Sequence, residues 1–198
     1  MKYLMDTTDD KPEKIERAEG VTEQLVFKAR FVLVFGEINH SQARATCERL
    51  IALTQESEAP INVLISSPGG HVESGDAIHD MIRFVRAPVT TVGTGWVASA
   101  GTHIFLAAPK DRRVCLPNTR FMIHQPGGGV GGPATDIAIQ AKEILRTRER
   151  IARVIAKQTD QPLKKVLADM ERDFWMSAEE AIEYGIVSRV IETHQELA

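Results

Sequence analysis

From Phe27 onward the chain alternates short apolar runs with amphipathic stretches, and that alternation limits the folds open to it more than any other feature. "FKARFVLVFGEI" reads as a buried strand ending at Gly36. "SQARATCERLIALTQE" follows with helical spacing through Ala43, Cys47, Leu50, Ile51 and Thr54, and Ser41 is its expected N-cap. "INVLISS" is a second strand, closed by Pro68-Gly69-Gly70, and "VESGDAIHDMIRFV" a helix that stops before Pro88. "VTTVGTG" is a third strand, "SAGTHIFLAA" a short buried helix, and "RVCLP" and "TRFMIHQP" further strands. Strands and helices taken in turn at this spacing imply βαβ units, a largely parallel sheet and an α/β fold.

Three stretches fall outside that rhythm. Residues 1–24 carry seven acidic and four basic residues with little apolar pattern, so they are expected to be mobile or loosely docked, with the domain running from 25 to 198. "GGGVGGPATD" is too rich in glycine for a strand interior; it is a flexible loop or a backbone surface that a ligand approaches closely. From Ala134 to about Lys157, Ile137, Ala141, Ile144, Leu145, Ile151, Val154 and Ile155 line one side of a long helix. A stripe of that length is hard for one small domain to cover, which fits a helix projecting onto a neighbouring subunit. The pattern alone fits a core helix equally well.

Composition excludes more than it selects. A net charge of −3 and a pI near 6.1 give no reason to expect nucleic acid or an anionic membrane as partner, and 6% aromatics leave few stacking platforms. The two cysteines, Cys47 and Cys115, form no CxxC pair, which fits a reducing cytoplasm. The N-terminus has no apolar signal core, and no run reaches the roughly 18–20 residues of a membrane span. There is no HExxH and no P-loop, so neither a metal nor another cofactor is expected.

The chemistry concentrates around "TGWVASAGT", where Ser99 stands among alanines and glycines at a strand-to-helix junction. Small neighbours allow close approach, and a helix start offers free N–H groups. A serine hydroxyl needs a base to attack a carbonyl, and six histidines are available. His40 and His194 read as solvated, His79 as exposed on its helix, and His71 as able to point at a site. His103 lies one helical turn after Ser99. His124 ends the run Phe121-Met-Ile at the C-terminal edge of a strand, where sites form in parallel sheets, and ranks ahead of His103 as base. Gly70 and Ala100 follow two neighbouring strand-to-helix turns and could aim their N–H groups at one oxyanion. Spacing does not choose the acid among Asp160, Asp169, Glu171 and Asp173. A packing serine and a structural histidine remain open at this point.

"SSPGG", "GWVASAG", "CLPNTRFMIHQP", "ATDIAIQAKEIL" and "ERDFWMSAEEAIEYGIV", in this order and spacing, resemble the proteolytic subunit of the Clp protease, the ClpP family, over roughly Phe31 to Ile191. The resemblance implies a spiral of βαβ units related to crotonases, with the helix about 134–157 as a projecting handle. Ser99 then matches the nucleophile, His124 the general base, Asp173 the orienting acid, and Gly70 with Ala100 the oxyanion donors. Gly69, Pro126, Gly127, Gly128 and Gly129 match the segments that hold substrate backbone. The implied activity is serine endopeptidase cleavage of unfolded polypeptides or short peptides inside stacked seven-membered rings, a homo-oligomeric tetradecamer. The implied partner is an AAA+ Clp unfoldase. The sequence departs from the family pattern at Ala100, where Met is usual, and at Gly127, where Leu is common. It also departs at Asn62-Val-Leu-Ile, where aromatics often form the unfoldase dock, and in the acidic N-terminal segment. Two alternatives stand beside this reading: a non-catalytic regulatory ring subunit, and a crotonase-type acyl-CoA hydratase or isomerase.

Overall fold

The computed structural model describes residues 12–129 and 131–197, and the alternation becomes a seven-stranded sheet wrapped by helices. Strands β1 (Phe31–Phe35), β2 (Ile61–Ser67) and β3 (Val89–Ala98) pair in parallel, β1 on β2 and β2 on β3. The first half of β3 pairs in parallel with β4 (Arg113–Cys115), which pairs with β7 (Arg189–Val190). The second half of β3 pairs instead with β5 (Arg120–Ile123), and β5 pairs antiparallel with β6 (Phe174–Met176). β3 therefore forks: Gly93 is its last residue on β4, Trp96 its first on β5. At the fork the register against β2 jumps from Ile65↔Gly93 to Ser67↔Val97. Glycines suit that crowded crossing, because a Cβ on Gly93 would lie 3.0 Å from the Phe121 ring.

Helices cover the sheet where the sequence has its amphipathic stretches. Helix α2 (His40–Glu56) is capped by Asn39, whose side chain accepts from Gln42 N, two residues earlier than the expected Ser41 cap. Helix α3 (Val72–Phe84) is capped by His71, whose ring accepts from Ser74 N. Helix α4 (Ala100–Phe105) is buried along its whole length, as its composition predicts. Helix α5 (Ala134–Thr159) matches the expected long run; its first half is exposed, whereas Ala152, Ile155 and Thr159 are buried and Ile151 packs against the main core. The core reading of the stripe thus holds for the second half, and the first half lies exposed. Helices α6 (Leu163–Asp169) and α7 (Ala178–Tyr184) lead into and out of β6, and α7 starts on a Ser177/Glu180 capping box.

Part of the N-terminal segment is helical: α1 spans Pro12–Lys28. Glu23 pairs with Arg49 of α2 at 3.0 Å, and Phe27 packs against the core. Residues 1–11, on which the rest of that expectation falls, lie outside the described residues. Among the described residues, no helix is long and apolar enough to cross a membrane.

Candidate active site

The ladder β3–β5–β6 brings three chain ends to one edge. Ala98 of β3 faces Met122, and Ile123 of β5 faces Phe174. Asp173 stands opposite His124 just beyond the β5–β6 ladder, and Ser99, the residue after Ala98, stands opposite Ile123, so the two pairings bring all three to one edge. Ser99 Oγ lies 2.8 Å from His124 Nε2, and His124 Nδ1 lies 2.8 Å from Asp173 Oδ1. The row runs from a partly buried hydroxyl to a carboxylate whose side chain is 62% exposed.

Ser99 occupies a left-handed backbone conformation, φ 57° and ψ −120°. For a non-glycine residue that costs on the order of 1–3 kcal/mol and persists only where the surroundings impose it. They do. Ser99 N donates to Met122 O at 2.9 Å, and Ser99 O accepts from His103 N at 3.2 Å. The Thr102 hydroxyl is within bonding distance of both Val97 O and Met122 O, at 2.7 and 2.8 Å, tying α4 back onto the β3–β5 pair.

The Pro68–Gly70 turn approaches from β2. The Ser67 hydroxyl donates to Gly36 O at 2.6 Å and accepts from Gly69 N at 3.0 Å. Gly69 sits at φ +97°, and a Cβ there would lie 2.6 Å from Ser99 Cβ and 3.1 Å from Ala100 N, so only glycine lets the two turns touch. The bridge between this turn and Ile38 uses Gly69 O and His71 N, leaving the Gly70 N–H between them outside it. Ala100 opens α4, so its N–H has no acceptor within the helix. Gly70 and Ala100 thus both follow turns that meet at Ser99.

A small cleft opens beside the serine, lined by Val72, Ala100, Ile123, Pro126, Ile151 and Ile155 together with Ser99, His103 and His124. Its walls are chiefly aliphatic. Ile151 and Ile155 come from the buried half of α5, a contribution visible in the sequence only as part of the stripe. Gly127, Gly128 and Gly129 are exposed and without regular structure; a Cβ on Gly127 or Gly129 would meet nothing within 4 Å.

The other candidates are engaged elsewhere. Asp160 pairs with Lys110 at 2.9 Å, Asp169 with Lys165 and the Tyr184 hydroxyl, and Glu171 with Arg148 at 2.7 Å. Only Asp173 of the four acids reaches His124. His71 is spent on capping α3 and on Ser74, close to His40. His79 is 7% exposed, contrary to the sequence reading of an exposed position, because α4 packs over that face of α3. It stacks on His103, which is 4% exposed, with ring centroids 4.4 Å apart. Burial and the neighbouring His103 push the His79 pKa down. Among the described residues, no group of three or more His, Cys, Asp or Glu could hold a metal.

A parallel α/β sheet presenting a strained serine, an imidazole and a carboxylate in one row defines a serine-hydrolase type of centre. The Clp protease family model matches residues 13–194. The ATP-dependent Clp protease proteolytic subunit 2 of Gluconobacter oxydans is 54% identical over 194 residues, covering 97% of this chain and 87% of its own. Subunit 3 of Rhizobium etli is 49% identical over 189 residues, covering 96% and 97%. The solved structure of ClpP1 from Listeria monocytogenes is 49% identical with a TM-score of 0.81, covering 90% of this chain and 99% of its own; a point mutant of it gives 0.84. The chain belongs to the Clp protease family, whose members are serine peptidases, and its fold is that of ClpP.

Proposed function

We propose that this chain is a serine endopeptidase that hydrolyses peptide bonds of unfolded polypeptides or short peptides, with Ser99, His124 and Asp173 as its catalytic triad. The observation that carries the reading is the unbroken 2.8 Å and 2.8 Å row from Ser99 Oγ through His124 to Asp173. His124 Nε2 takes the Ser99 proton as Oγ adds to the carbonyl carbon, while Asp173 holds the ring by its Nδ1–H. The oxyanion rests on the N–H groups of Gly70 and Ala100, each such donor contributing on the order of 3 kcal/mol to the transition state. His124 then gives its proton to the departing amine, and water hydrolyses the acyl-enzyme by the same route. Gly69, Pro126 and Gly127 to Gly129 offer backbone without side-chain obstruction to an extended substrate. The aliphatic cleft beside Ser99 suits an apolar side chain on the acyl side.

The exposed Ile137, Ile139 and Leu145 on the first half of α5 support assembly of the chain into stacked rings, with the serines inside the chamber. We place that chamber in the cytoplasm. The relatives' names call them ATP-dependent, and an AAA+ Clp unfoldase is the partner class that would feed it. The test is intact mass after incubation with a fluorophosphonate, wild type beside Ser99→Ala, with native mass recorded on the same samples. A single adduct on wild type alone is the expected result. No adduct on a well-assembled oligomer would sink the triad and favour a regulatory subunit.

A further inference from the structure

Three helices meet at one carboxylate behind the cleft. Asp76, on α3, accepts from Arg150 of α5 through both oxygens, at 2.8 and 2.7 Å. His103 of α4 brings its Nε2 to 2.9 Å from the same Oδ1, without the alignment of a full hydrogen bond. Burial alone would push the Asp76 carboxyl up, but His103 and the Arg150 guanidinium hold it well below the usual carboxylate range. Asp76 therefore stays ionised, its side chain 21% exposed.

A partly exposed ion pair is a poor device for stability. Its distinctive property is direction. A bidentate arginine fixes both distance and plane, which dispersion contacts do not. Each member also adjoins a part of the site. Arg150 precedes Ile151, a wall of the cleft, and His103 itself lines the cleft. His103 sits on the last turn of a six-residue helix whose first residue is Ala100. One residue before Asp76, Gly75 lies so close to α4 that a Cβ there would be 3.2 Å from Ala100 Cβ. α3 therefore meets α4 at two points, at Ala100 by packing and at His103 through the Asp76 carboxylate.

We propose that Asp76 and His103 are positioning residues of the peptidase: the Asp76 carboxylate locks α4 to α5 through Arg150, and so sets the Ala100 N–H against the reacting carbonyl. The inference rests on the Ser99 reading above. α5 is also the helix whose other half is exposed, so the same contact carries the seating of that helix to the oxyanion donor.

Three measurements on assembled protein test it: steady-state kinetics on a fluorogenic peptide, the rate and end point of fluorophosphonate labelling, and native mass. Asp76→Asn and His103→Phe should each lower kcat about ten- to a hundredfold with KM within about twofold. Labelling of Ser99 should slow in proportion yet still run to completion, which partial unfolding would prevent. His103→Gln, which keeps an N–H for Asp76, should recover most of the lost kcat. Should Asp76→Asn or His103→Phe fail to assemble, Arg150→Lys and His103→Gln decide, with the first slowed and the second near wild type. Unchanged kcat in the variants, a rise in KM alone, or equal loss in His103→Gln and His103→Phe overturns the proposal while wild-type labelling leaves the triad standing. Wild type that takes no adduct removes the triad, and the positioning role with it.

Discussion

The head of the molecule and the first half of α5 obey opposite rules. Around Ser99 almost nothing is left open: Val97, Ala98, Phe121 and Thr102 are fully buried, and the Gly69 turn touches the Ser99 turn with no room for a methyl group. Along α5 from Ala134 to Glu143 every described side chain is exposed, including Ile139 at 57%, and Leu145 beyond it reaches 63%. Described residues of the same chain complete the head; the exposed half of α5 carries apolar surface that no described residue covers. Close packing fixes a reacting geometry within one subunit, whereas uncovered aliphatic surface calls for a second one.

The widest gap between the two regions should come from Ser99→Ala, expected to remove peptide hydrolysis by about 10⁶ in kcat without altering native mass. Steady-state rates beside native mass spectrometry measure both. Gly69→Ala tests the tightness of the head: a Cβ 2.6 Å from Ser99 Cβ must push the two turns apart. Labelling at Ser99 should fall by about 10²-fold, and retention of wild-type labelling would break the claim that the head has no slack. Leu145→Asp tests the other side. Native mass should drop while the head's stability stays within about 0.5 kcal/mol, as for other exposed substitutions; an unchanged oligomer contradicts the assembly role. Asp76 ties α3 to the second half of α5 through Arg150, and its folded-state pKa is depressed, so its stabilisation is present above the unfolded value of ~3.9 and fades as pH falls below it. The gap in melting temperature between wild type and Asp76→Asn should therefore be open at pH 6 and close below about pH 4. The smallest effect belongs to His79, whose depressed pKa means that folding sheds a proton: stability should fall as pH drops below ~6.5, and less so in His79→Phe.

Much of the head was legible because its signals are local. Apolar runs gave β1, β2, β3 and β5, Pro88 marked the region where α3 ends, and small residues flagged the Ser99 junction. His124 stood out because a strand delivers it to the C-terminal edge. The acid was not legible from spacing, since Asp173 meets His124 only through an antiparallel pairing of β5 with β6 across 49 residues, and β6 is three residues long. The family resemblance named it; the engagement of Asp160, Asp169 and Glu171 elsewhere supplies a physical reason. His79 was misread because helical spacing says which side chains share a face, not which neighbour covers it. Asp76 gave no signal at all, as a lone carboxylate on an amphipathic helix looks solvated until Arg150 arrives from 74 residues away. The N-cap of α2 shifted by two residues because both Asn39 and Ser41 can cap, and the position of the turn decided between them.

The forked strand has a consequence for how such a protein can vary. Ser99 stands one step beyond the β3–β5 ladder, and His124 and Asp173 one step beyond the β5–β6 ladder, so their spacing depends on amide-to-carbonyl stitching as well as on the side chains. Substitutions in β5 or β6 that keep the pairing leave the row intact. A slip of a single residue would move it by about 3.4 Å and turn each side chain to the opposite face. The arrangement is therefore intolerant of insertion: a letter in these strands can change where pairing and core packing survive it, but their count cannot.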